Sequence, residues 1–237
     1  MALLASACGD ESKPRLVVSA AASLTEALTG CSPAFSDANV RLQFAGSDDL
    51  AAQIRRGVKP DVFAAANTKL PDELNADGLL SRPVVFATNE LVLAVPADAD
   101  RIRSLDDLQK PGTKLAIGSS SVPVGSYTRD VLSRLPEIER NQILKNVRSE
   151  EPDVKGVVGK LTQGAVDAGF VYASDATATK GKLKAVRLPT RLQPTVAYGA
   201  GVVNGSKRAD AAGRYVQGLV SGTCAKALRE NGFGRAG

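Results

Sequence analysis

The sequence contains no histidine. That removes the commonest general base, the commonest metal ligand and every mechanism that pairs histidine with a serine or cysteine nucleophile. Tryptophan is also absent, and aromatic residues make up only 4%. Stacking platforms for nucleic acid or sugar are therefore scarce. No run of about 18 consecutive apolar residues occurs, so no membrane-spanning helix is expected. Neither sign of charge is in large excess: 30 Lys and Arg stand against 25 Asp and Glu, a net charge of +5. The basic residues are dispersed, which argues against a nucleic-acid partner and suits an anionic ligand or none in particular. What remains is ordinary for a globular protein: 237 residues, 43% hydrophobic and 23% charged. That length fits one large domain or two small ones.

Enzyme and nucleotide motifs are missing as well. There is no phosphate-cradling glycine loop ending in Gly-Lys-Ser or Gly-Lys-Thr, and no Gly-x-Gly-x-x-Gly after a strand. There is no Gly-x-Ser-x-Gly elbow. Cysteines and carboxylates show no metal-ligand spacing. No motif here points to an enzyme, and no cofactor is expected.

Cysteine is rare, with three residues in all. The first, Cys8, follows a short apolar, small-residue stretch, Met-Ala-Leu-Leu-Ala-Ser-Ala. This resembles the end of a bacterial lipoprotein signal peptide, although Ala5 stands where leucine is usual. On that reading Cys8 carries lipid, and residues 1–14 are a signal remnant and tether. The plainer alternative is a ragged terminus with a chance cysteine. Cys31 and Cys224 are then left as an even pair in an exported protein. An oxidising compartment favours a disulfide over two separate buried thiols. Closing so long a loop adds about 5 kcal/mol in the chain-entropy account.

Strand-like and helix-like segments alternate along the chain. Strands are expected at 15–21, 40–44, 61–65, 91–95, 114–118, 168–172, 184–188 and 196–203. Helices are expected at 23–30, 48–56, 68–77, 104–108, 126–135, 153–162, 175–179, 209–219 and 224–231. Ser23 and Ser104 are read as N-caps, and Gly57 and Gly78 as stops. The alternation argues an α/β fold with parallel sheets.

Three strand-to-helix junctions share a pattern of small residues followed by serine. They are Ala20-Ala21-Ala22-Ser23-Leu24, Phe44-Ala45-Gly46-Ser47-Asp48, and Gly118 through Ser126. Small residues let a ligand approach the backbone. The first N–H groups of a helix lack partners within it and sit at the positive end of its dipole. Such ends bind oxyanions, and in open α/β sheets they lie where ligands bind. Any one of these serines, taken alone, reads as an ordinary cap. Asp48 and Asp49 read as first-turn acids that favour the dipole.

Five blocks around these junctions are AAASLTEAL from Ala20, FAGSDDLAAQI from Phe44, GVKPDVFAA from Gly57, VPVGSYTRDVL from Val122 and DVKGVVGKLTQGAVDAGFVYASDA from Asp153. In this order they resemble the periplasmic molybdate-binding proteins of molybdate/tungstate ABC transporters. The resemblance covers about Leu16 to Phe233.

It implies a type II periplasmic-binding-protein fold: two Rossmann-like lobes, a ligand cleft between them and two crossover strands. One lobe would comprise residues 15–87 and 196–237, the other 88–195, with crossings near Ala87–Asn89 and Pro194–Ala197. Cys31 and Cys224 then share a lobe. Carried over by position, Ser23 and Ser47 would give hydroxyls and backbone N–H groups to the oxyanion. Val124 and Val154 would give backbone N–H groups, and Tyr172 its phenol. Position 124 is more often alanine in the family, so the pocket is expected to be narrower here. Asp48 stands where serine or threonine is common and is left out of the site. The implied function is extracytoplasmic capture of molybdate or tungstate by a monomer, and its delivery to a membrane permease. Alternatives are a receptor for another tetrahedral oxyanion such as sulfate, a ligand-sensing module without transport, or an exported enzyme using Tyr172 or a lysine.

Overall fold

The computed structural model describes residues 13–236; Cys8 and the expected tether up to residue 12 lie outside them. The chain forms two mixed sheets flanked by helices. The first half runs β1 (Arg15–Ala21), α1 (Thr25–Cys31), β2 (Asn39–Ala45), α2 (Ser47–Arg55), β3 (Val62–Ala65), α3 (Lys69–Ala76), β4 (Val84–Asn89) and β5 (Leu91–Pro96). Then follow β6 (Leu115–Gly118), α4 (Pro123–Ser133), α5 (Glu137–Lys145), β7 (Val147–Glu151), α6 (Val154–Thr162), β8 (Ala168–Tyr172) and α7 (Ala173–Ala178). The last elements are β9 (Leu183–Arg187), β10 (Val196–Val202), α8 (Ala209–Ser221), α9 (Thr223–Glu230) and β11 (Gly234–Arg235). The first sheet has the order β11-β4-β10-β3-β1-β2, the second β7-β6-β8-β5-β9.

β1 is an apolar run because strands flank it on both sides, β2 and β3, each parallel to it. β8 is buried along its whole length for the same reason, between β6 and β5. Gly57 ends α2 as expected. Its φ of 95° is open to glycine and costly for other residues, and its N–H returns to Ile54 O at 2.9 Å.

The expectation of parallel sheets is corrected. β10 runs antiparallel to β3 and β4, and β5 antiparallel to β8 and β9. The cause is the crossing. β4 leaves the first sheet at Asn89 and β5 enters the second at Leu91, while β9 ends at Arg187 and β10 re-enters the first sheet at Val196. Two expected caps are also corrected. Ser23 lies inside a 3-10 turn, Ala22–Leu24, and caps nothing. The short helix expected at 104–108 is a 3-10 turn over Asp106–Gln109, and Ser104 does not cap it. The Asp107 carboxylate instead gathers the Arg103 and Ser104 N–H groups at 2.9 and 3.1 Å. The helix expected to begin at Ser126 begins at Pro123, a residue suited to a first helical turn.

The elements missed by the sequence reading are β4, α5, β7 and β11. Cys31, at the end of α1, faces Cys224 in α9 with their sulfurs at bonding distance and Cα atoms 5.1 Å apart. Each sheet's edge where strands give way to α1, α2, α4 and α6 faces the other sheet across a cleft.

Candidate functional site

A small cavity, with room for about 20 Å³ of solvent, lies in that cleft. From the first lobe it is lined by Ala21, Ala22, Ser23, Ala45, Gly46, Ser47 and Ala66, and from the second by Val122, Pro123, Val124, Asp153, Val154 and Tyr172. All five residues singled out from the sequence, Ser23, Ser47, Val124, Val154 and Tyr172, therefore meet there. Asp48, in the first turn of α2, does not line it.

Local rules explain how each arrives. β1 ends in alanines, and the 3-10 turn that follows presents Ser23. The Ser23 hydroxyl lies 3.0 Å from the Tyr198 hydroxyl, and either can donate. Ser47 is the first residue of α2, and its Oγ accepts the Ala66 N–H at 3.1 Å. With an acceptor position used this way, the Ser47 proton is free for a ligand. Val124 is the second residue of α4, behind Pro123, so its N–H precedes the first intrahelical bond. Val154 opens α6. Asp153 caps that helix, its Oδ1 accepting Gly156 N–H at 3.0 Å, which leaves the Val154 N–H unclaimed by the cap.

Tyr172 ends β8 and is 1% exposed. Its hydroxyl is buried and has no hydrogen-bond partner among the described residues. A buried hydroxyl without a partner is costly, and this one lines a cavity. Burial, with smaller contributions from Tyr198, Tyr127 and Asp175, pushes its pKa well above the ordinary phenol value. It therefore stays protonated and able to donate. Tyr127 and Tyr198 pack edge-on against its ring, with centroids 6.5 and 5.8 Å away.

Among the described residues, no lysine or arginine lines the cavity. The site thus offers hydroxyl and amide donors near three helix starts, with one carboxylate, Asp153, engaged as a cap. Such an arrangement binds an anion by hydrogen bonds and dipoles rather than by a countercharge. Among the described residues, no group of three His, Cys, Asp or Glu could hold a metal ion.

The model of the bacterial extracellular solute-binding proteins matches residues 16–234. The chain belongs to this family. The molybdate-binding protein ModA of Mycobacterium tuberculosis H37Rv is 35% identical over 226 residues, covering 93% of this chain and 84% of that one. Among solved structures, the periplasmic molybdate-binding protein of Azotobacter vinelandii superposes with a TM-score of 0.83 at 18% identity, covering 94% of this chain and 100% of that one. The sulfate-binding protein SubI of M. tuberculosis gives 0.81 at 18% identity, over 93% of this chain and 86% of that one. At such identities the two structures attest the fold alone, which is that of the periplasmic binding proteins. Membership puts this solute-binding protein outside the cytoplasm, and its relatives are named for binding and transport rather than catalysis.

Sequence reasoning missed three residues in or beside this cavity. Tyr198 reaches Ser23 from 175 residues away, so no local signal marks it. Ala66 acts only through its backbone. Asp153 did carry a signal, an Asp three residues before Gly156 at a helix start.

Proposed function

We propose that this chain captures molybdate outside the cytoplasm and hands it to the permease of an ABC transporter. The observation that carries the reading is the cavity's donor set: hydroxyls and helix-start amides drawn from both lobes, no lysine or arginine, and a buried phenol without a partner. Ser23 and Ser47 would give hydroxyls and amides, Val124 and Val154 amides, and Tyr172 its phenol. A dianion without protons needs only donors. Hydrogen bonds to charged groups contribute roughly 1.5–3 kcal/mol each. A five-atom ligand held at about −1.5 kcal/mol per heavy atom would already bind at low micromolar concentration.

Selection would come from size. Molybdate and tungstate have longer bonds to oxygen than sulfate, and hydrogen bonds weaken beyond about 3.2 Å. Tungstate is nearly the same size as molybdate and is taken as a second ligand. Binding would close the lobes, 15–87 with 196–237 against 88–195, about Glu90 and residues 188–195. The closed monomer is the form offered to the permease. Cys8 would tether it to the membrane through lipid, and the Cys31–Cys224 bridge would form on export.

The test is thermal unfolding with and without molybdate, tungstate or sulfate, each at about 1 mM. A ligand at a thousand times its Kd adds about 4 kcal/mol, which raises the midpoint by several degrees. The expected result is a rise with molybdate and tungstate and none with sulfate. A rise with sulfate alone would make this a sulfate-type receptor. No rise with any of them, in protein free of bound oxyanion, would overturn the reading.

A further inference from the structure

The mouth of the cleft carries an ion cluster that the anion site does not use. Lys155 is the second residue of α6, next to Val154. Its Nζ donates to both carboxylate oxygens of Glu26, at 2.9 and 2.7 Å. Glu26 stands in α1, directly after the turn that holds Ser23. The pair therefore joins the two lobes, and it does so through the two helices whose starts flank the cavity. The same Nζ lies 3.2 Å from Oδ1 of Asp175, at the start of α7 in the second lobe. Asp175 is wholly buried, and neither of its carboxylate oxygens has a well-aligned hydrogen-bond donor. It holds the lysine against the second lobe, with the ammonium directed at Glu26. Lys155 does not line the cavity. Its charge is spent across the mouth.

We propose that Glu26 and Lys155, steadied by Asp175, form a latch across the cleft that sets how long a bound oxyanion stays. The inference rests on the oxyanion reading above. Opening the lobes must separate Ser23 from Val154, and with them Glu26 from Lys155. Opening would therefore break the ion pair, so it slows release without touching the ligand. It is a positioning pair.

Charge alone makes the opposite prediction. Glu26 is a carboxylate near an anion site, so its removal should tighten anion binding if only Coulomb interactions counted. The latch predicts weaker binding. The experiment compares intact protein with E26Q, K155Q and the double variant, with molybdate as the probe. Affinity is read by titration calorimetry and release by rapid mixing, at low salt and at 0.5 M NaCl. Unfolding midpoints of ligand-free protein show that each variant folds.

In E26Q the release rate should rise about twofold to fivefold at low salt with the association rate unchanged, a range set by partly exposed ion pairs. K155Q should behave alike, and the double variant should be no worse than either single one. High salt should narrow the gap. Unchanged or tighter binding by E26Q, or losses that add in the double variant, would overturn the latch. If the parent protein binds no molybdate, the functional reading fails instead, and the two failures are distinct.

Discussion

At the scale of single residues, two hydroxyls of the cavity make opposite contributions to the empty protein. The Ser47 Oγ accepts the buried Ala66 N–H, so it supports the fold whether or not a ligand is present. The Tyr172 hydroxyl has no partner among the described residues, so it is a cost until a ligand arrives. Substituting Tyr172→Phe should leave the ligand-free unfolding midpoint unchanged or higher. It should also weaken molybdate binding roughly tenfold or more, the worth of one hydrogen bond to a charged group. Ser47→Ala should weaken binding and also lower the ligand-free midpoint, because a buried amide loses its acceptor at about 1–3 kcal/mol. Paired melts and titrations separate the two. A Tyr172→Phe variant that melts early, or that binds like the parent, would refute the donor role.

At the scale of elements, the cleft depends on how closely two turns approach. Gly46 precedes α2 in the first lobe. A Cβ built there would meet the Pro152 carbonyl of the second lobe at 2.6 Å and Asp48 Oδ1 at 2.8 Å. The backbone at Gly46, φ −55° and ψ 137°, is open to alanine. Gly46→Ala should therefore spare each lobe and wedge the cleft. The expected outcome is a near-parental ligand-free midpoint, affinity lower by about a factor of ten, and no compaction on adding molybdate in small-angle scattering. Normal compaction with parental affinity would mean the turns have room to spare. Elements like these were legible in the sequence where local signals act alone: apolar runs gave β1 and β8, and Gly57 gave the end of α2. Others were not. β7 reads VRSEE and alternates only because it is an edge strand. α5 buries a single side chain, Ile143, so its apolar period is faint. β4 exposes Val84 and Val85 and gains its identity from pairing with β10 and β11. The antiparallel strands follow from the crossing between lobes, a property of topology that no window of residues contains. The site divides the same way: serine-bearing junctions are local and were visible, whereas Tyr198 is brought in by the fold.

At the scale of the whole molecule, folding buries a carboxylate, Asp175, whose cost should appear in the dependence of stability on pH. Burial raises the Asp175 pKa from 3.8 to about 7, with Lys155 offsetting part of the rise. The folded protein therefore holds this proton more tightly than the unfolded chain does. Between about pH 4 and pH 7 the folded state binds more protons at this group, so its contribution to stability falls as pH rises through that window. Above pH 7 the full cost of the buried charge is present. Breaking a buried ion pair usually strands the partner's charge and destabilises by about 3–5 kcal/mol. Here the Lys155 side chain is 29% exposed and keeps Glu26 at 2.7 Å, so it is not stranded when Asp175 becomes neutral. Removal of the buried charge should win. Asp175→Asn, which keeps the volume, should raise the unfolding midpoint by several degrees at pH 8. The gain should shrink below pH 7 and vanish below about pH 4, where the parent's carboxyl becomes protonated in both states. Melts of parent and variant across that range give the answer. A gain that is the same at every pH would assign the effect to packing, and a loss at pH 8 would mean that Lys155 needs Asp175 more than the fold is harmed by its charge.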